Sequence, residues 1–185
     1  PSALRLRGPL DPRTLERALH ETVRRHEVLR TTLDDLGGGP VQVVHPAWAP
    51  ALAVADLSGL GGDAREAEAQ RPPAAEVARP FDLRRGPLLR TTLLRLGAED
   101  HVLLAVMHHV GSDGWSLGVL SGEVAALYEA FPRGGPSPLP EPPVQYADYA
   151  AWQRGWLTGD VLEAQLGWWR ERLAGAPPVL EIPTD

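Results

Sequence analysis

MHHVGSDGWS, residues 107–116, puts two histidines, an aspartate and a glycine at the junction between a strand-like run and a helical one. Before it, HVLLAV (101–106) is a short apolar run of strand type. After it, Leu117, Leu120, Val124, Leu127 and Phe131 recur at helical spacing. The chemistry-bearing residues therefore sit on the loop between. An imidazole titrates near neutral pH, which suits proton transfer, and the N–H groups that open a helix are donors suited to developing negative charge. The pattern points to an enzyme active site.

Working outward, LLRTTLLRL (88–96) and HVLLAVMHH (101–109) flank a short GAED link and are expected to pair as antiparallel strands. Leu4 and Leu6 alternate with Arg5 and Arg7, the mark of a half-buried strand. A helix follows, capped by Asp11 with Pro12 at its first position, and Leu15, Leu19, Val23 and His26 mark its apolar side. LRTTLDD, a Gly37-Gly38-Gly39-Pro40 turn and VQVVHP form a hairpin pattern. The Ala-rich stretch 62–79 reads as helical but is interrupted by Pro72-Pro73, which predicts two short helices or a helix and a loop. The helix after the motif should stop near Pro132, and a Pro-rich surface connector leads to closing helices around 148–157 and 161–173. Strands mixed with helices favour α/β layers over a bundle.

The motif resembles the HHxxxDG signature of nonribosomal peptide synthetase condensation domains, which share a chloramphenicol-acetyltransferase-like fold. Companion stretches stand in the family's order: RHEVLRTTL (25–33), ARPFDLRRGPLLR (78–90), YADYAAWQR (146–154) and WWRERLAG (168–175). The resemblance implies an α/β lobe with a mixed sheet flanked by helices and His109 exposed at its edge. It also implies amide-bond formation between two thioesters carried on the phosphopantetheine arms of donor and acceptor carrier proteins, with no cofactor of the chain's own. The family's first motif would precede Ser2 and its second lobe would follow Asp185, so residues 1–185 are expected to form an N-terminal lobe. Lacking the C-terminal lobe and the neighbouring synthetase domains, such a lobe should do little chemistry by itself and could self-associate.

By the resemblance, His109 holds the catalytic position, as base or as positioning group. His108, if the strand continued, would point to the other side and support it. Asp113 is expected to be architectural, paired with Arg25 or Arg30 of RHEVLRTTL, with Arg25 favoured. Gly114 fits where a backbone N–H meets substrate closely or where the turn demands glycine. Trp115 and Ser116 open the helix, where a hydroxyl can cap it or donate to an oxyanion. The aromatic residues Tyr146, Tyr149, Trp152, Trp156, Trp168 and Trp169 are read as packing between elements, and the arginines between 84 and 95 as a solvated face.

Other classes fit poorly. A net charge of −6 argues against nucleic acid. With no cysteine, disulfides and thiolate metal sites are excluded. A metal site at His108, His109 and Asp113 is disfavoured because adjacent strand side chains diverge and no HExxH pattern is present. No membrane-length apolar run or signal pattern occurs, so the chain reads as cytoplasmic. Within the family, an epimerization domain shares HHxxxDG but differs after the glycine. A heterocyclization domain would replace the histidines, and a catalytically silent recruitment module would lose the second one.

Overall fold

The structure is a computed structural model that describes residues 1–48, 51–70, 74–177 and 179. It divides into two units, residues 1–145 and 146–185. The first unit is built on a four-stranded sheet of β1 (Ser2–Arg7), β4 (Ala53–Asp56), β5 (Leu89–Arg95) and β6 (Asp100–Met107), in the order β1-β6-β5-β4. β6 pairs antiparallel with both β1 and β5, whereas β4 runs parallel to β5, so the sheet is mixed. Strands β2 (Thr31–Asp35) and β3 (Pro40–Val44) form a separate hairpin across the glycine-rich turn. The β5–β6 pair and the β2–β3 hairpin follow the sequence reading.

The central strands are apolar in nearly continuous runs because both faces of the sheet are covered. On one face lie α1 (Pro12–Arg25) and α4 (Gly114–Ala130). Leu15, Ala18 and Leu19 of α1 meet Val124 and Leu127 of α4, the following Phe131, and Leu93 and Leu103 of the sheet. On the other face, Ala69 of α2 (Gly62–Gln70) packs against Leu94, Leu96, Val102 and Leu104. Leu93 lies opposite Leu103 and Leu94 opposite Val102, and the period-two alternation sends each pair to a different layer.

Helix α1 starts where the sequence says it should. Asp11 accepts hydrogen bonds from the backbone N–H groups of Arg13 and Thr14, and Pro12 fills the first turn. The Tyr128 hydroxyl of α4 accepts from the Asp11 backbone N–H at 2.8 Å, which fixes the start of α1 against α4. The Ala-rich segment divides into α2 and the short α3 (Ala74–Ala78), with the proline pair lying outside the described residues.

The second unit contains α5 (Tyr146–Trp156) and α6 (Gly159–Arg172), and neither helix buries a residue. The aromatic side chains expected to pack between elements are instead exposed, from 44% for Tyr149 to 56% for Trp152. The spacing of three and four residues explains this. It aligns Tyr146, Tyr149, Trp152 and Trp156 on one face of α5, where successive ring centroids lie 6.2, 5.7 and 5.3 Å apart and the rings meet each other. On α6, Trp168 and Trp169 meet edge to face at 4.7 Å. Among the described residues, no helix is long and apolar enough to cross a membrane.

The layered core generates a direct test. Leu93 is fully buried between sheet and helices, whereas Leu36 at the hairpin tip is 74% exposed. Leu93→Ala is expected to cost about 2–5 kcal/mol in chemical denaturation, and Leu36→Ala no more than about 0.5 kcal/mol. Equal costs would contradict this placement of the core.

Candidate active site

Strand β6 ends at Met107, one residue short of the histidines, and the chain turns at once. The His108 backbone N–H donates to the Leu88 carbonyl at 3.0 Å, the last link to the neighbouring strand segment. Its imidazole then closes the turn, since Nδ1 accepts the Val110 backbone N–H at 3.0 Å. The His108 carbonyl accepts from the Gly111 N–H at 3.1 Å and from the Ser112 hydroxyl at 3.3 Å. The two histidines therefore diverge because the chain turns at His109, and not through strand alternation. His108 is half-buried as the hub of the loop, and His109 is carried out into solvent.

His108 is also held from behind. Its ring meets Phe81 edge to face, with centroids 5.6 Å apart. Phe81 in turn lies under the Arg90 guanidinium, whose central carbon is 3.8 Å from the ring centroid. Arg90 donates to the carbonyls of Glu76 at 3.0 Å and Arg79 at 2.8 Å, and it forms an ion pair with the Glu76 carboxylate. Arg90 is thus an exception to the solvated face expected for residues 84–95, because its side chain is only 9% exposed. Arg84, Arg85 and Arg95 are exposed as expected.

Asp113 caps α4. Its carboxylate accepts from the Ser116 backbone N–H at 2.8 Å and from the Ser116 hydroxyl at 2.6 Å, and that hydroxyl accepts from the Asp113 backbone N–H at 3.3 Å. This is a reciprocal capping box. The hydrogen bonds from Ser116, with a smaller contribution from nearby His109, hold the Asp113 carboxyl below the ordinary carboxylate range. The expected partnership with Arg25 or Arg30 is corrected here. Asp113 finds its partner within one turn, in Ser116, whereas Arg25 and Arg30 bond to other groups. Ser116, at the third helical position, completes the cap, with its hydroxyl committed to Asp113. Trp115 is 86% exposed.

The arginines go elsewhere. Arg25, at the end of α1, is buried, and its Nε and Nη2 each lie 3.2 Å from an oxygen of Glu123 on α4. Its Nη1 donates to the Leu139 carbonyl at 3.3 Å. His26 joins the same carboxylate, with Nε2 2.8 Å from Glu123 Oε2. Burial alone would raise the Glu123 pKa, but the hydrogen bonds from Arg25 and His26 outweigh it and hold the carboxyl below its ordinary value. Arg30 pairs with Glu27 at 3.1 Å and donates to the His45 carbonyl. Sequence reasoning missed Glu123, which lies almost a hundred residues from its partners and carries no motif.

Gly114 is the first residue of α4, with no positive φ, and a Cβ built there meets nothing within 4 Å. The turn-geometry reading of Gly114 is therefore set aside, and open space stands in front of it. Gly111 is the more confined of the two, because a Cβ there would lie 3.3 Å from Leu88 Cδ1 and 3.4 Å from Val28 Cγ2.

A strand end, an exposed imidazole and a capped helix start thus meet at one loop. The condensation-domain family model matches residues 1–185, the whole chain. This chain belongs to the condensation-domain family. It is 52% identical over its full length to part of a linear gramicidin synthase from Brevibacillus parabrevis, spanning 2% of that relative. Among solved structures, the first condensation domain of the CDA synthetase superposes with a TM-score of 0.85 at 27% identity, covering 99% of this chain and 46% of that one. SgcC5 of Streptomyces globisporus gives 0.81 at 36%, covering 96% and 40%. The condensation domain is thus a segment of far longer relatives, and this chain spans less than half of these two solved structures.

The two glycines of the motif should part company on substitution. Gly111→Val should lower stability by about 1–3 kcal/mol through overpacking against Leu88 and Val28. Gly114→Ala should melt at or slightly above the parent temperature, since alanine favours a helix and meets no neighbour. Equal melting temperatures for the two variants would contradict the assigned packing.

Proposed function

We propose that residues 1–185 form the N-terminal lobe of a peptide-synthetase condensation domain that joins two carrier-bound aminoacyl or peptidyl thioesters through an amide bond. The observation that carries this reading is the exposed His109 at the end of β6, beside the open first turn of α4, in a chain matched throughout by the family model. Donor and acceptor would arrive on the phosphopantetheine arms of two carrier proteins, and the chain would contribute no cofactor of its own. The same reading places the reaction in the cytoplasm, within a larger synthetase whose second lobe completes a tunnel. A lobe alone would align the thioesters poorly and could self-associate through its uncovered faces.

In the proposed reaction, the acceptor amine attacks the donor thioester carbonyl. A C–N bond forms, the C–S bond breaks, and the donor thiol leaves. An α-amino group has a pKa of about 7.7–8.0, so making it neutral near pH 7 costs only about 1 kcal/mol. The more demanding proton is the one that turns acidic once nitrogen has bonded to carbon. His109 is proposed to take that proton or to hold the amine in line. In this arrangement Gly114 keeps side-chain bulk away from the reacting groups, with Trp115 as a wall. His108 and the Asp113–Ser116 cap set the geometry of the loop, and Arg25 and Arg30 support the site indirectly through their own pairings.

The test is amide formation between two loaded carriers in the synthetase that contains this chain. His109→Ala should lower single-turnover product formation by about 10²–10⁴-fold, with the melting temperature retained because the ring is exposed. An unchanged rate would remove His109 from the chemistry.

A further inference from the structure

Beside the motif loop lies a cavity of about 150 Å³, whose lining includes His26, Leu29, Met107, Gly111, Trp115 and Val119. These residues come from the end of α1 and the turn after it, from the last residue of β6, from the loop and from the first turns of α4. The lining is largely apolar. An engineered apolar cavity of about 150 Å³ accepts a molecule the size of benzene, so the space suits one amino-acid side chain. We infer that this cavity is a side-chain subsite for one of the two aminoacyl groups, taking a branched aliphatic or small aromatic side chain, with His26 and Val119 setting its size. The inference rests on the condensation reading above and adds to it a determinant of substrate choice.

His26 makes a firm wall because it is not free to rotate. Its Nε2 is bound to Glu123 Oε2 at 2.8 Å, and that carboxylate is fixed in turn by buried Arg25 at 3.2 Å through two nitrogens. A fixed wall converts side-chain size into discrimination, and one methylene more or less in an apolar pocket changes specificity by about 10–200-fold. Val119 stands on α4 one turn beyond Trp115 and is 41% exposed, as a rim residue would be. Met107 lies one residue before the histidines, so a side chain seated here would keep its carbonyl or amine near the loop that carries His109.

The experiment uses the synthetase that contains this chain, with glycyl, leucyl and tryptophanyl thioesters placed in turn on the donor or the acceptor carrier. Val119→Trp should lower the leucyl-to-glycyl rate ratio about tenfold or more on one carrier, by filling the space. His26→Ala should move the tryptophanyl-to-leucyl ratio upward on the same carrier, by enlarging it. The carrier that responds identifies whether donor or acceptor is read, and Leu36→Ala on the distant hairpin should change neither ratio. Because each readout is a ratio, a general loss of stability does not mimic it. If the parent protein condenses these substrates but both variants scale all of them equally on both carriers, the subsite is overturned and the function stands. If the parent protein forms no amide from any pair, the function proposed above falls and the subsite with it.

Discussion

One carboxylate, Glu123, holds the frame of the site together. It receives the buried Arg25 guanidinium from the end of α1 and the His26 imidazole from the next residue. The Arg25 backbone carbonyl accepts from Gln145 at 2.9 Å, and the Gln145 side chain accepts from the Glu27 N–H at 3.1 Å. A charge pair taken out of water is tolerated only when its hydrogen-bonding capacity is met. Here the guanidinium faces both carboxylate oxygens and a carbonyl at once. The pair ties α1 to α4, and α4 is the helix whose first turn carries Asp113, Gly114 and Ser116.

From that frame the loop is specified by short-range devices. The His108 ring accepts a turn N–H and rests on Phe81, Phe81 rests under Arg90, and Gly111 slides between Leu88 and Val28. Asp113 and Ser116 close the helix start on each other. These contacts serve geometry and leave His109, alone of the motif's two imidazoles, turned outward. Such a division suits the proposed condensation, whose nucleophile needs little activation and whose barrier depends on alignment.

Much of this is legible in the chain. Period-two and helical spacing locate β5, β6, α1 and α4, and Asp11-Pro12 marks a helix start that the structure keeps. Two departures have a common cause, a local partner overlooked for a distant one. The Asp113–Ser116 capping box is present in the sequence as an aspartate three residues before a serine, and it engages the carboxylate that the motif resemblance assigns to a remote arginine. The tyrosines and tryptophans of α5 suggest core because aromatics bury large areas, whereas their spacing lets them stack on each other along one exposed face. Glu123 is not legible. Nothing local in SGEVAALY says that its carboxylate meets Arg25 and His26, because that contact exists only once α1 and α4 pack on the same sheet face.

The claim that this frame depends on the shared carboxylate is tested most directly by a double-mutant cycle on Arg25→Met and Glu123→Leu, read by chemical denaturation. Glu123→Leu strands the buried Arg25 guanidinium and is predicted to cost about 3–5 kcal/mol, Arg25→Met leaves Glu123 its bond to His26 and should cost less, and the double variant, with both charges gone, should cost less than the sum of the two. Additive costs, with the double variant as unstable as the sum of the two, would contradict the account.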